Sequence, residues 1–202
     1  MENKKIDLLY IDCCIRGQES RTRQLAEAFL DALQERGGFS LDRLVLTEEA
    51  LLPLAGEFLW QRERPLEAGA LDHPRFRYAR QFARADRILV AAPFWDLSVP
   101  ALLKIYIENV SVQGITFDVD PENNLLYGIC RAGKLLFLTT RGGDYRDSPL
   151  ETGLPLMRNL TEFFGIPVFD SIAADGMDLL ILPPEVILDK AIGEARQLAK
   201  SW

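Results

Sequence analysis

The sequence predicts an α/β domain in which helices cover both faces of a five-stranded parallel sheet, in the strand order 2-1-3-4-5. Short apolar runs alternate with helical patterns along most of the chain. The run Ile88–Ala92 is apolar throughout, which is typical of a strand buried on both faces of a sheet. The length of 202 residues and the hydrophobic content of 48% fit a single domain, residues 1–202, with a sizeable core.

The strands and helices alternate in a regular order. Ile6–Asp12 is the first predicted strand, and Ser20–Arg36 is a predicted helix whose apolar residues recur every three or four positions. The pair Gly37-Gly38 ends that helix. The other predicted strands are Leu41–Leu46, Ile88–Ala92, Lys134–Thr140 and Ile166–Ala173, and the other predicted helices run from Ala101 to about Val112 and over Pro184–Lys200.

Residues 48–85 are predicted to form a long, charged and mainly helical connection between the second and third strands. This segment contains several prolines and many arginines. It also contains too many large apolar residues for a free loop, among them Leu51, Phe58 and Trp60. These side chains belong either to the core or to a subunit interface, and the sequence does not distinguish the two.

Composition excludes several classes of function. The net charge of −7 argues against an extended nucleic-acid surface. The three cysteines, Cys13, Cys14 and Cys130, cannot make a disulfide framework, which favours a reducing cytoplasm. The N-terminus lacks the pattern of a secretory signal, and no window is apolar enough to span a membrane. Because His73 is the only histidine, a zinc site with several imidazoles is excluded, and we expect no metal site.

The loop between the first strand and the first helix, residues 13–22, has features that attract an anion. Ser20 is a good N-cap residue, and the exposed N–H groups at the start of a helix favour negative charge. The hydroxyls of Ser20 and Thr22 add donors, so a phosphate monoester fits here. The loop lacks both G-x-x-x-x-G-K-[ST] and G-x-G-x-x-G, so neither ATP-type nor dinucleotide binding is indicated. The alternative is that Ser20 only caps the helix.

The loop Phe94–Leu97 places two large aromatic rings directly after the third strand. Pro93 ends the strand, and Ser98 and Pro100 open the helix that follows. A flat ring system can lie against Phe94 or Trp95 while backbone N–H groups of the loop reach its polar edge. The alternative is that both rings pack into the core.

The loop Thr139–Tyr145 follows the fourth strand and contains Gly142-Gly143, which allows a close approach of the backbone to a ligand. Arg141 either offers a charge or holds the loop by hydrogen bonds, and a plain Gly-Gly turn is the alternative. The loops after strands one, three and four of a doubly wound sheet emerge at one edge. The three loops together therefore predict a cofactor site there.

At these residues the chain resembles the FMN-dependent NADH-azoreductase / NAD(P)H:quinone reductase family, which has a flavodoxin-like fold. The resemblance covers most of the chain. The stretch VPALLKIYIENVSVQGITF follows the family's helix and its G-x-T-F continuation, and TTRGGDY resembles the family's flavin-edge loop. Three separated segments agree in order and spacing, which makes the resemblance specific.

The resemblance implies non-covalent FMN, a homodimer with sites at the subunit interface, and a cycle in which NAD(P)H reduces FMN and the flavin then reduces a quinone or an azo compound. It assigns no catalytic side chain, because hydride transfer belongs mostly to the cofactor. The implied FMN contacts are Cys14, Ser20, Arg21 and Thr22 at the phosphate, Phe94, Trp95, Asp96 and Leu97 at one side of the isoalloxazine, and Thr140, Arg141, Gly142 and Gly143 at another edge.

Two departures from the family pattern affect this assignment. The family's loop commonly reads P-M-Y-N-F, whereas Asp96 stands here in place of the amide. A carboxylate accepts hydrogen bonds but cannot donate to a flavin carbonyl, and its charge disfavours an anionic reduced flavin. Cys13 and Cys14 stand where the family commonly has serines, and a thiol is a weaker partner for a phosphate.

The leading hypothesis is therefore an FMN-dependent NAD(P)H oxidoreductase that acts on quinones or azo compounds. An FMN electron carrier is a second hypothesis, which would bind FMN without oxidising NAD(P)H directly. A non-catalytic homologue, or one with an altered cofactor, is a third, and it rests on Asp96 and the Cys13-Cys14 pair. The sequence does not choose between NADH and NADPH.

Overall fold

The computed structural model describes residues 5–202 and contains seven strands in that range. They are β1 (Ile6–Asp12), β2 (Phe39–Val45), β3 (Arg87–Ala91), β4 (Phe117–Val119), β5 (Leu126–Gly128), β6 (Lys134–Thr140) and β7 (Val168–Ala174). Five of them form a parallel sheet in the order β2-β1-β3-β6-β7. Counted within this sheet, the order is 2-1-3-4-5, which confirms the predicted fold class.

Helices cover the two faces of this sheet. The helices are α1 (Arg21–Arg36), α2 (Gly56–Glu67), α3 (Arg77–Arg84), α4 (Ala101–Val110), α5 (Gly153–Phe163) and α6 (Pro184–Ala199). Residues of β1 alternate between the two cores, as the period of a strand requires. Leu8 and Tyr10 pack with α1 and α6, whereas Leu9 and Ile11 pack with α3, α4 and α5. The middle of each central strand is apolar because both of its faces are buried.

Local capping explains where α1 begins and ends. The Ser20 hydroxyl accepts a hydrogen bond from the backbone N–H of Arg23 at 3.3 Å, so Ser20 is the N-cap, as predicted. Gly37 follows the helix with φ of +75°, a conformation that favours glycine, and its N–H donates to carbonyls of the last turn. The start of α1 is thereby held at the carboxyl end of β1.

The sequence prediction missed two elements between β3 and β7. The strands β4 and β5 form a separate antiparallel hairpin of three residues each, too short for a period to be recognised. Helix α5 was missed because Gly153 and Pro155 in its first turn resemble a turn, and because Thr152 before it makes no side-chain capping bond.

Several predicted boundaries were also wrong by a few residues. Strands β2, β3 and β7 start or end one or two residues away from the predicted positions, and α4 ends at Val110 rather than Val112. Pro100 precedes α4 as its N-cap, whereas Ser98 makes no capping bond and belongs to the preceding turn.

The segment 48–85 divides between core and surface. It holds α2 and α3, and α3 buries Tyr78 and Phe82 against the sheet, which favours the core interpretation for that half. Helix α2 has no buried residue, and the side chain of Trp60 is 54% exposed. Leu52 and Trp60 are therefore available for a contact outside the chain, whereas Phe58 lies under the Arg75 guanidinium and Leu66 packs against the buried cluster around Phe76.

Within residues 5–202, no helix combines the length and the apolar character that crossing a membrane requires. In the same range, no three His, Cys, Asp or Glu side chains are grouped in a way that could hold a metal ion.

Candidate functional site

A polar cleft of about 260 Å³ opens at the carboxyl edge of the sheet, where the predicted loops meet. The loop after β1 contributes Ser20, Arg21 and Thr22 to its wall. The loop after β3 contributes Phe94 and Trp95, and the loop after β6 contributes Thr140, Arg141 and Gly142. The three loops therefore converge on one cleft, and most of the predicted cofactor contacts line it.

Four of the predicted contacts, Cys14, Asp96, Leu97 and Gly143, do not line the cleft. Asp96 faces a neighbouring apolar groove beside the start of α4. The Gly143 carbonyl accepts a hydrogen bond from the N–H of Gly176, so this glycine joins two loops at the back of the cleft.

Cys14 is buried behind the cleft and has the properties of a core residue. Its thiol lies 3.7 Å from the Ala91 carbonyl oxygen, and its backbone N–H donates to the Asp12 carboxylate at 2.9 Å. Burial raises the pKa of the Cys14 thiol well above its ordinary value, and the nearby Asp12 raises it further. The pKa of Cys13 rises to about 12 for the same reasons. Both thiols therefore stay protonated at neutral pH.

The first turn of α1 forms the end of the cleft that suits an anion. The backbone N–H groups of Arg21 and Thr22 have no carbonyl one turn earlier in the helix, so they are free to face a ligand. The Ser20 hydroxyl accepts the capping bond and still has its own hydrogen to donate. Arg16 and Arg21 add guanidinium groups to the same wall. This donor set matches a phosphate monoester.

The hydroxyls of Thr22 and Thr140 lie 2.7 Å apart and are buried. This contact joins the first turn of α1 to the end of β6, so the anion-binding end and the loop after β6 are held in a fixed relation. Sequence spacing alone could not reveal it, because 118 residues separate the two side chains.

The ring-bearing loop is a tight turn closed by two backbone hydrogen bonds. Trp95 and Ser98 exchange N–H to carbonyl bonds of 2.9 Å each. Between them, Asp96 and Leu97 have φ of +46° and +67°, which L-residues adopt at a cost of about 1–2 kcal/mol each. The Leu97 carbonyl accepts from both the N–H and the hydroxyl of Thr152, at 3.0 and 2.7 Å. Contacts from α5 therefore hold this strained turn.

The two aromatic rings of the loop differ in how accessible they are. Phe94 packs against Tyr145, with ring centroids 4.6 Å apart, and the guanidinium carbon of Arg141 lies 5.4 Å from the Phe94 centroid. The Trp95 side chain is 43% exposed and lines the cleft. Trp95 is therefore the ring that is free to contact a planar ligand, whereas Phe94 is already covered by protein groups.

Arg141 lines the cleft but is only 4% exposed, and its charge is already paired. Its guanidinium lies 3.1 Å from a Glu151 carboxylate oxygen and 3.2 Å from one of Asp175. Asp144 on the same loop is different, because it is exposed and accepts hydrogen bonds from Arg146, which lower the pKa of Asp144 to about 2. The prediction left open whether Arg141 offers a charge or holds its loop, and this geometry favours the second.

A fourth loop, after β7, also reaches the cleft, and the sequence reasoning did not include it. Met177 and Asp178 line the cleft, and their N–H groups donate to the carbonyls of Arg141 and Gly142 at 3.0 and 2.9 Å. The Asp178 carboxylate pairs with Arg21 at 2.8 Å across the cleft. The same edge rule that selected the other loops applies to this one, since it follows a parallel strand of the same sheet.

Gly142 fits its position because a side chain there would collide with this fourth loop. A β-carbon at Gly142 would lie 2.6 Å from a carboxylate oxygen of Asp178. Glycine thus allows the loops after β6 and β7 to lie close together.

Comparisons with known proteins agree with this fold. A family model described as a flavodoxin-like fold matches residues 7–199. An FMN-dependent NADH:quinone oxidoreductase of Clostridium perfringens is 34% identical over 197 residues, covering 96% of this chain and 98% of that protein. One of the same name from Caldicellulosiruptor saccharolyticus is 31% identical over 200 residues, again covering 96% and 98%.

Among solved structures, the crystal structure of azoreductase AzrA superposes with a TM-score of 0.84 at 25% identity, covering 97% of this chain and 100% of that one. The similarity extends over almost the whole of each chain. The chain therefore belongs to the flavodoxin-like family of FMN-dependent NADH:quinone oxidoreductases and azoreductases.

Proposed function

We propose that this protein is an FMN-dependent oxidoreductase that takes hydride from NAD(P)H and reduces quinones or azo compounds. The observation that carries the proposal is the convergence of four loops on one cleft, with phosphate donors at one end and an accessible indole ring at the other. Membership of a family whose relatives bear the name FMN-dependent NADH:quinone oxidoreductase supports the same reaction. The azoreductase name of a structural neighbour supports the azo substrates.

The donor chemistry of the cleft fits FMN. The phosphate would be held by the Ser20 hydroxyl, by the Arg21 side chain and by the backbone N–H groups of Arg21 and Thr22. The isoalloxazine would lie along Trp95, with the backbone of Thr140 and Gly142 at another edge. When bound, FMN supplies an electron acceptor and donor that takes hydride from NAD(P)H and passes the electrons to the acceptor.

In this proposal the protein's own residues position the ligands. We assign no proton transfer to any side chain. Trp95 offers a flat apolar surface. The paired Thr22 and Thr140 hydroxyls fix the positions of the two ends of the cleft relative to each other. The apolar groove beside Trp95 is lined by Ile15, Val99 and Leu102, which suits a flat and poorly hydrated substrate. Cys14, Asp96, Leu97 and Gly143 lie outside the cleft wall, so the proposed cofactor contacts do not include them.

We also propose a cytoplasmic homodimer that binds no nucleic acid. The exposed apolar side chains Leu52 and Trp60 in the segment 48–85 support a subunit contact there. The three cysteines are free thiols, which fits a reducing compartment. The net charge of −7 disfavours binding to a phosphate backbone.

Titration with FMN, followed by anaerobic reduction, tests the proposed reaction. We expect FMN fluorescence to be quenched with saturation at one FMN per chain, and the bound flavin to be bleached by NADH or NADPH and recoloured by a quinone or an azo dye. A protein that binds FMN but is not bleached by either nicotinamide would be an electron carrier. A protein that stays colourless and does not quench FMN would be a non-catalytic homologue.

A further inference from the structure

We propose that Arg141 is a positioning residue: its guanidinium does not bind the cofactor's phosphate but holds the ring-bearing loop, residues 94–98, against the loop after β6. The inference rests on the proposed FMN site and goes beyond it, because it assigns this arginine to the geometry of the ring end. Its basis is the buried cluster of Arg141, Glu151 and Asp175, defined here as the ion cluster.

The charge of Arg141 is balanced by two carboxylates of the protein, since Nη1 donates to Asp175 and Nη2 lies 3.1 Å from Glu151, although Nε and Nη2 have no hydrogen-bond partner among the described residues. Two carboxylates compete for one guanidinium, and all three side chains are almost completely buried. The cluster therefore carries a surplus of negative charge, which repels an approaching anion instead of attracting it. By contrast, Arg21 lies at the start of α1 with a side chain that is 40% exposed.

Each member of the ion cluster also fixes a backbone segment. The backbone N–H of Arg141 donates to the Ala174 carbonyl at 2.8 Å, a bond that does not involve the guanidinium. Asp175 accepts from the N–H of Tyr145 at 3.3 Å, and Glu151 accepts from the N–H of Leu154 at 2.8 Å. One guanidinium therefore joins the end of β7, the loop after β6 and the first turn of α5.

The first turn of α5 in turn holds the ring-bearing loop. Thr152, directly after Glu151, donates two hydrogen bonds to the Leu97 carbonyl. A β-carbon at Gly153 would lie 3.3 Å from the Ser98 carbonyl carbon, so the helix start abuts the turn directly. Since Asp96 and Leu97 have positive φ, the turn depends on such outside contacts to keep its shape. Loss of the ion cluster should therefore loosen the turn that carries Trp95.

The test compares FMN with riboflavin, which has the same ring but no phosphate. Arg141→Lys keeps the charge and removes the planar fork that bridges two carboxylates. Because a displaced ring-bearing loop affects the ring and not the phosphate, we expect the Kd of both ligands to rise by the same factor, about tenfold. Arg146→Lys is the matched control, an exposed arginine on the same loop that pairs with Asp144, and it should change neither Kd.

For Glu151→Gln, positioning by Arg141 and phosphate binding by Arg141 predict changes in FMN affinity of opposite sign. If Arg141 bound the phosphate, removing a competing carboxylate would tighten FMN and leave riboflavin unchanged. Positioning predicts weaker binding of both ligands instead. The proposal is overturned if Arg141→Lys lowers the affinity for FMN but not for riboflavin. It is also overturned if Glu151→Gln raises the affinity for FMN.

Hydrogen exchange of the ligand-free protein separates this proposal from the proposed function. We expect faster exchange at residues 94–98 and at Thr152 in Arg141→Lys and Glu151→Gln, and unchanged exchange there in Arg146→Lys. Unchanged exchange at residues 94–98 in both cluster variants contradicts positioning, whether or not FMN binds. If the unsubstituted protein binds neither flavin, the proposed function fails while the exchange result still decides the role of Arg141. Should Arg141→Lys not fold, Glu151→Gln decides alone.

Discussion

Two arginines in the wall of one cleft, Arg141 and Arg21, have opposite surroundings. Arg141 is buried between Glu151 and Asp175, whereas Arg21 makes a single exposed pair with Asp178. A guanidinium that is enclosed by two carboxylates can hold loops but cannot approach a new anion. A guanidinium at the surface can exchange its partner at little cost, because water solvates both groups when they separate. Burial, and not residue type, therefore decides which arginine can bind a phosphate.

The largest expected difference between the two arginines is in stability. Arg141→Met leaves two buried carboxylates without a partner, so we expect the free energy of unfolding to fall by about 3–5 kcal/mol. Arg21→Met breaks only a solvated pair and should cost about 1 kcal/mol or less. Urea denaturation of both variants measures the contrast. Equal losses of unfolding free energy in the two variants would show that burial of the ion cluster does not make Arg141 more important for stability than Arg21.

Binding of the FMN phosphate should depend more on Arg21 than on Arg141, which is the reverse of their order for stability. Arg21→Gln removes a charged donor beside the first turn of α1, so we expect FMN affinity to fall about tenfold and riboflavin affinity to stay the same. The loss should shrink as salt is raised, because the side chain is exposed and its charge is screened. Fluorescence titration of both flavins at low and high salt measures this. A matching loss for riboflavin would place Arg21 at the ring and not at the phosphate.

Removing Asp178, the partner of Arg21, should raise FMN affinity, and by a smaller factor than the loss expected for Arg21→Gln. Asp178→Asn releases Arg21 and takes one negative charge away from the cleft, so we expect FMN to bind about threefold tighter at low salt. Asp144→Asn is the control, since it also removes one negative charge, but from a carboxylate that pairs with Arg146 outside the cleft wall. Weaker FMN binding in Asp178→Asn would mean that Asp178 holds its loop rather than competing for Arg21.

The smallest expected effect concerns Asp96. Its carboxylate lies in the turn beside Trp95 but faces the neighbouring groove, so its charge acts on a bound flavin only weakly. Asp96→Asn should tighten FMN about twofold, since it removes negative charge near the ring. Unchanged or weaker affinity in the same titration would remove Asp96 as an explanation for any weakness of FMN binding.

Much of the fold followed from local patterns. The doubly buried strands, the Ser20 cap and the Gly37 end of α1 were all predicted, because each depends on neighbouring residues. Helix α5 and the hairpin of β4 and β5 were not, since a Gly-Leu-Pro start and three-residue strands carry little periodic signal. The convergence of three loops was predicted from the rule for parallel sheets, and the fourth loop could have been added by the same rule.

The detailed roles within the cleft could not be predicted in this way. The motif around Gly142 and Gly143 indicated a ligand-facing loop, but the partners of Arg141 lie 10 and 34 positions further along the chain. Cys14 is near the phosphate donors in sequence, but the end of β1 directs its thiol behind the cleft, against the Ala91 carbonyl. Proximity along the chain did not indicate which side chains face the cleft.

By itself the sequence determined the order of the strands, the edge at which the loops meet and the family, because hydrophobic periodicity and short motifs are local properties. Only the tertiary structure decided which charges are free. Pairing and desolvation depend on side chains brought together from distant segments, as Glu151 and Asp175 are brought to Arg141, and these contacts leave no local pattern in the chain.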